Sequence, residues 1–176
     1  MAWEISLLNE IQGFENPVFD IVAKMLAQFG TAGIGFIIIG LGLAVVKRTR
    51  RWGLHILAGL ILVFIFGNVL IKPLVGRVRP YVEAGKTIIV PALQDGSFPS
   101  GHTYSAFVTA FASRRYHRLW GGVLMTFAVL MGLSRLYLYV HYPTDVLGGV
   151  VLGLVASLLA GKLIEQWYRR RHNNNA

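Results

Sequence analysis

The chain has 176 residues, 55% of them hydrophobic and only 14% charged, with a mean hydropathy of +0.56. That is too apolar for a water-soluble domain of this size, and with no cysteine it excludes disulfides, thiolate metal sites and a cysteine nucleophile. A net charge of +9 would suggest a nucleic-acid partner in a soluble protein, but placement decides otherwise. Eleven of the seventeen Lys and Arg residues fall in three clusters, at 47–51, 114–118 and 162–171, which mark the cytoplasmic loops and cytoplasmic tail of a membrane protein.

Taken in order, residues 3–13 space apolar and polar side chains helically over a stretch too short to span, predicting an interfacial helix that ends at Gly13. No basic region, apolar run and small-residue cleavage site precede it, so no removable signal peptide is expected. Asn16-Pro17 supplies a cap and a first-turn proline for an apolar run to Val46. Thirty residues at about 1.5 Å each exceed a hydrocarbon core of about 30 Å. This helix must therefore tilt, break near Gly30 to Gly35, or begin outside the core. A second span runs from Gly53 to about Val75, with Asn68 as a helix-packing hydrogen bond. Pro80, Gly85, Pro91 and Gly96 make 77–98 a loop, with a short strand or helix at Ile88 to Leu93.

Ser100 is placed to cap a short third span from about Gly101 to Ser113. A fourth runs from about Leu119 to Tyr137 and a fifth from Pro143 to about Tyr168, where Gly149, Gly153, Ala156 and Ala160 suit close helix packing. The prediction is an all-α polytopic membrane helix bundle of five or six helices, forming one domain over 1–176. The N-terminus and the 77–98 loop lie outside and the C-terminus inside. Trp52, Trp120 and Trp167 are expected as inner belt residues, and Tyr81, Tyr104, Tyr137, Tyr139 and Tyr142 as outer ones. Tyr104 and Tyr142 stand near the expected lipid entrance. Lys24 is expected to pair with Asp20 or to snorkel, His55, His117 and His172 to anchor at interfaces, and the tail from His172 to be disordered.

Three polar clusters reach the outer ends of these spans: Lys72 through Arg77 to Arg79-Pro80, Pro99-Ser100-Gly101-His102, and Ser134-Arg135 through His141 to Asp145. Across residues 50–165 their order and spacing resemble the three-part signature of the type 2 phosphatidic acid phosphatase family, without a departure. That family's site is related to those of bacterial acid phosphatases and vanadate haloperoxidases, and the resemblance implies hydrolysis of phosphate esters without a metal. It assigns His141 as the nucleophile that forms a phosphohistidine, Asp145 as the residue that orients its ring, and His102 as the acid and later the base. On their own chemistry, Lys72, Arg79 and Arg135 offer cations to phosphate oxygens. Ser100 and the N–H groups at Gly101 and His102 add donors at a helix start. Arg77 is intermediate between a substrate-headgroup contact and a residue facing lipid phosphates.

The expected partners are the bilayer and a membrane lipid phosphate, with no cofactor. No carboxylate–histidine cluster has ligand spacing, so no metal is expected. Undecaprenyl diphosphate or phosphatidylglycerophosphate is the favoured substrate, because a short outer loop has little apparatus for a large saccharide. A phosphotransferase using the same residues, and an anionic-lipid transporter or binding protein, are the alternatives.

Overall fold

A computed structural model describes residues 2–173, and all of its regular structure is helical. Helix α1 (Ala2–Gln12) buries Glu4 and Leu8. α2 (Pro17–Gly30) starts as predicted, with the Asn16 side-chain oxygen accepting the N–H groups of Val18 and Phe19, both at 3.0 Å. The long apolar run breaks in the expected place. A turn at Thr31–Gly33 has Ala32 at φ 49° and Gly33 at φ 72°, and α3 (Ile34–Val45) resumes at a new angle.

α4 (Arg50–Val63) runs through π-helical turns at Phe64–Ile71 into α5 (Lys72–Val75). Its end is set by Gly76 in the left-handed region at φ 55°. The ordered turn in the following loop is α6 (Pro80–Glu83), begun by a first-turn proline. Ile88 to Leu93, where the sequence predicted it, has no regular structure. α7 (Gly101–Tyr116), α8 (Arg118–Tyr137) and α9 (Pro143–Asn173) complete the chain. The predicted disordered tail falls largely on 174–176, outside the described residues, and α9 reaches Asn173.

Four stretches among the described residues are long and apolar enough to cross a membrane: Pro17–Val45, Arg50–Glu83, Arg118–Tyr137 and Pro143–Arg171. The protein is thus a multi-pass membrane protein. Their outward faces carry exposed large hydrophobics such as Ile38, Ile61, Val129, Val151 and Leu158, a surface suited to lipid rather than water. The expected third span, α7, falls outside this class, because its sixteen residues measure about 24 Å and are less apolar. It is the hub of the bundle, packed between α4, α8 and α9. Its Thr103, Ser105, Thr109 and Ser113 are buried. Thr109 and Ser113 hydroxyls donate to carbonyls one turn back at 2.8 and 2.7 Å. A helix enclosed by protein can carry such groups where a lipid-facing one cannot.

α9 approaches α7 closely because of two glycines. A Cβ at Gly149 would stand 3.0 Å from the Ser100 carbonyl oxygen, and one at Gly153 3.0 Å from the Tyr104 carbonyl oxygen. This contact draws the starts of α7 and α9 together.

Several residues assigned to the interfaces lie inside. Trp52 is buried and donates its indole N–H to Ser113 Oγ at 2.8 Å, and His55 Nε2 meets the Ser157 carbonyl at 2.7 Å. Tyr139 and Tyr142 are buried with Leu8 and Leu136, so they clamp α1 onto the α8–α9 turn and line no entrance. Asp20 accepts the Tyr137 hydroxyl at 2.6 Å and forms no ion pair with Lys24, which is exposed. Trp120 and Trp167 are exposed as belt residues would be, as is His117, whose Nδ1 accepts the Trp120 N–H at 3.4 Å.

Candidate active site

The three clusters converge where α5, the 77–98 loop, the start of α7 and the α8–α9 turn meet. Asp145 is fully buried in the first turn of α9. Its Oδ2 accepts the Tyr142 N–H and the Ser97 hydroxyl, each at 2.8 Å, and its Oδ1 accepts Arg77 Nη1 at 2.6 Å. A carboxylate in the first turn that reaches back to the N–H ahead of the helix is half of a capping box, so one residue both starts α9 and serves the site.

His141 stands one turn before it. Its Nδ1 faces Asp145 Oδ2 at 3.5 Å, within ion-pair reach but longer than a hydrogen bond. Its Nε2 lies 3.2 Å from Arg79 Nη1. A guanidinium only donates, so Nε2 is the acceptor and the ring proton sits on Nδ1, toward the carboxylate. Burial pushes the imidazole down to about 4, with Asp145 opposing and Arg79 and Lys72 reinforcing that shift. A neutral ring with its lone pair on Nε2 is the form that can attack phosphorus.

Lys72 and Arg79 are buried and face the same space. Both pair with Asp95, Arg79 Nη2 at 2.7 Å and Lys72 more closely. Arg79 also donates to the carbonyls of Asp95 at 3.0 Å and Val140 at 2.9 Å, which fixes its fork. Partial burial pushes the Asp95 carboxyl up, but the hydrogen bonds and charges of Lys72 and Arg79 outweigh this and leave it at about 2. It is a permanent anion on two of the three predicted phosphate-binding cations.

Arg135 is 2% exposed and has no carboxylate within ion-pair distance among the described residues. It donates to Ser134 Oγ at 3.0 Å and, at 3.5 Å, to the Ala23 carbonyl of α2. A buried unpaired cation is costly, and an anion alongside would offset that cost. Ser100 begins α7 but caps it through its backbone alone, since its hydroxyl accepts from Thr103 Oγ1 at 2.9 Å. His102 Nε2 donates to the Ala27 carbonyl at 3.0 Å, leaving Nδ1 as the nitrogen that can exchange a proton.

A cavity of about 670 Å³ is lined by Lys72, Arg79, Asp95, Gly101, His102 and His141 at one end. It continues along Asn68, Phe64, Ile61, Leu60 and Leu57 of the α4–α5 rod and Ile37 of α3. Lys72 to Leu57 spans fifteen positions, or about 22 Å of helix, so the polar end opens into a long apolar one. Tyr104 lines this cavity, donating its hydroxyl to Asn68 Oδ1 at 2.7 Å. Ser100, Arg135 and Asp145 are buried and are not part of its lining. Among the described residues no three His, Asp or Glu side chains gather as a metal site would need.

Three residues of this assembly, Asp95, Ser97 and Glu4, escape a reading by spacing, and Arg77 takes neither of the roles weighed for it. Asp95 and Ser97 lie on an irregular loop with no periodic signal. Arg77 is turned inward, away from lipid, toward Asp145 and toward Glu4 at 2.6 Å. Glu4 does leave a trace, since it shares a helical face with the apolar Leu8, four positions on.

The PAP2 superfamily model matches residues 52–169. Undecaprenyl-diphosphatase BcrC of Bacillus subtilis is 28% identical over 163 residues, covering 90% of this chain and 82% of its own. Decaprenylphosphoryl-5-phosphoribose phosphatase of Mycobacterium tuberculosis is 35% identical over 154 residues, covering 85% of this chain and 84% of its own. The crystal structure of a transmembrane PAP2 type phosphatidylglycerolphosphate phosphatase from Bacillus subtilis superposes with a TM-score of 0.76 at 27% identity, over 94% of this chain and 86% of that one.

Proposed function

Since the chain belongs to the PAP2 superfamily, we propose that it cleaves undecaprenyl diphosphate, or alternatively phosphatidylglycerophosphate, by a metal-independent phosphohistidine mechanism at the outer face of the membrane. That it is an enzyme, a phosphatase of membrane lipid phosphates, follows from its family and from relatives that include several lipid phosphatases. Support for the finer reading comes chiefly from one observation: His141 and His102 share a cavity wall with Lys72 and Arg79, and that cavity runs on into an apolar channel. The polar end suits a phosphate and the channel suits a hydrocarbon tail. The relative BcrC favours the polyprenyl substrate, and the superposed structure favours the phospholipid.

In the proposed reaction His141 Nε2 attacks phosphorus and the bond to the leaving oxygen breaks. That oxygen takes the electron pair and a proton from His102. Charge developing on the equatorial oxygens is met by Lys72, Arg79 and Arg135, with Ser100 and the Gly101 N–H at the helix start. In the second half His102 takes a proton from water, the water oxygen bonds to phosphorus, and the N–P bond breaks to release inorganic phosphate. Asp145 holds the Nδ1 proton throughout. The side of the membrane is inferred from charge: Arg51, Arg115 and Arg169, one from each basic cluster, border one hollow around Glu165, and positive charge collects in the cytoplasm.

Phosphate release by purified protein in detergent, from a panel of polyprenyl diphosphate, phosphatidylglycerophosphate, phosphatidic acid and lipid A, tests the reading. Release is expected from at least one of the first two, unaffected by EDTA and abolished in His141→Ala. Full activity in that variant would sink the mechanism, and activity confined to phosphatidic acid or lipid A would sink the substrate choice.

A further inference from the structure

We propose that Glu4 of α1, acting through Arg77, is a positioning residue for Asp145, so that the N-terminal helix is a working part of the active site. The proposal rests on the phosphohistidine reading above, in which Asp145 serves His141. Arg77 divides one guanidinium between two carboxylates. Its Nη1 donates to Asp145 Oδ1 at 2.6 Å and to Thr144 Oγ1 at 2.7 Å, and its Nη2 to Glu4 Oε2 at 2.6 Å. The Thr144 hydroxyl donates in turn to Glu4 Oε1 at 2.7 Å, which closes a ring of three groups, Arg77, Thr144 and Glu4, with Asp145 held on the Arg77 corner. Glu4 is 3% exposed and Asp145 is fully enclosed, and the Tyr142 ring lies 3.9 Å from Arg77 Cζ. Glu4 Oε1 also accepts the Thr144 N–H at 3.3 Å, placing its charge at the start of α9, where backbone N–H groups lack partners.

Two consequences follow from this sharing. The first is geometric. Asp145 Oδ2 is held by Ser97 and the Tyr142 N–H, but Oδ1 is held by Arg77 alone, so the carboxylate plane presented to His141 depends on where Arg77 is anchored. Glu4 and Thr144 are that anchor.

The second is electrostatic. A buried arginine paired with Asp145 alone would cancel its charge, and His141 would face a neutral pair. With Glu4 on the same guanidinium, the three groups keep one net negative charge. That charge is what stabilises an imidazole ring becoming positive as phosphorus bonds to it. The phosphate-binding cations Lys72, Arg79 and Arg135 do not touch Glu4, so the effect belongs to the chemical step and not to substrate capture.

Glu4→Gln removes the charge and keeps the size. It is expected to lower kcat roughly ten- to a hundredfold, as loss of a positioning group does, while KM for the lipid phosphate stays within about twofold. Placed in an Arg77→Met background, the same substitution is expected to cost nothing further, because its route to Asp145 is already cut. Should Glu4→Gln fail to fold, Arg77→Lys keeps the charge but loses the fork that reaches both carboxylates, and the same loss of kcat at unchanged KM is expected. The positioning role is overturned by wild-type kcat in Glu4→Gln or Arg77→Lys, by a rise in KM with kcat kept, or by an equal loss in the Arg77→Met background. His141→Ala run alongside separates the two ideas. If it is dead and Glu4→Gln is fully active, only the positioning role falls. A wild-type protein that releases no phosphate removes the phosphatase reading and this proposal with it.

Discussion

Asp145→Asn exchanges a single oxygen for an amide, and the structure shows why that should be severe. Asp145 accepts from Tyr142 N and Ser97 Oγ on one oxygen and from Arg77 on the other, while Nδ1 of His141 faces the first at 3.5 Å. An asparagine has one acceptor oxygen, so in either orientation its NH₂ meets a donor, Arg77 Nη1 or the Tyr142 N–H. A mispaired buried donor costs about 1–3 kcal/mol of stability. The larger effect is on rate. A unit charge about 4 Å from the ring, at an effective dielectric of about 20, contributes about 4 kcal/mol to stabilising positive charge on it, which converts to about a thousandfold in kcat. The assay is phosphate release by purified variant in detergent, with the thermal midpoint measured on the same sample. A folded Asp145→Asn protein within about tenfold of wild-type kcat would refute the claim that the carboxylate charge carries the nucleophile.

In the proposed reaction Asp95, which pairs with Lys72 and Arg79 and is half exposed, competes with phosphate for them. Asp95→Asn is therefore expected to tighten product inhibition by inorganic phosphate about fivefold, the ceiling for such a pair; weaker phosphate binding would show instead that Asp95 holds the two cations in place. Because burial lowers the His141 pKa to about 4, the reactive neutral ring persists well below the usual imidazole value and is lost only as pH falls through about 4. The acid limb of kcat/KM is expected there, and an acid limb at about 6.5 would contradict the burial argument. Gly153→Ala sets a Cβ 3.0 Å from the Tyr104 carbonyl oxygen and the Val108 nitrogen. Backbone cannot yield as a side chain can, so a loss of about 1–3 kcal/mol is expected, read as a lower thermal midpoint; an unchanged midpoint would mean that α7 and α9 have slack between them.

The spans and the break at Thr31–Gly33 were legible because they depend on local quantities: apolar run length against bilayer thickness, proline and asparagine at helix starts, glycine at a turn. The three polar clusters were legible for a similar reason, since each is a short fixed spacing at the end of an apolar run. Burial was less so. Trp52, His55, Tyr139 and Tyr142 read as belt residues because an aromatic near a helix end carries the same local signature whether it meets headgroups or another helix. Only the neighbours tell them apart: Ser113 for Trp52, Ser157 for His55, and α1 for the two tyrosines. The surroundings of α7 were not legible for the same reason, because a run between two loops does not say whether lipid or protein encloses it.

What the sequence by itself determined is the membrane class, the order of the helices and the residues of the three clusters, all of which follow from hydropathy, helical period and fixed spacing. What only the tertiary structure decided is how those clusters are partnered. Glu4, Arg77 and Asp145 are 73 and 68 positions apart in turn, and no local pattern links them. They meet because α1 packs on the α8–α9 turn through Leu8, Leu136, Tyr139 and Tyr142. Buried there, a charge left without an opposite partner costs far more than it does in water.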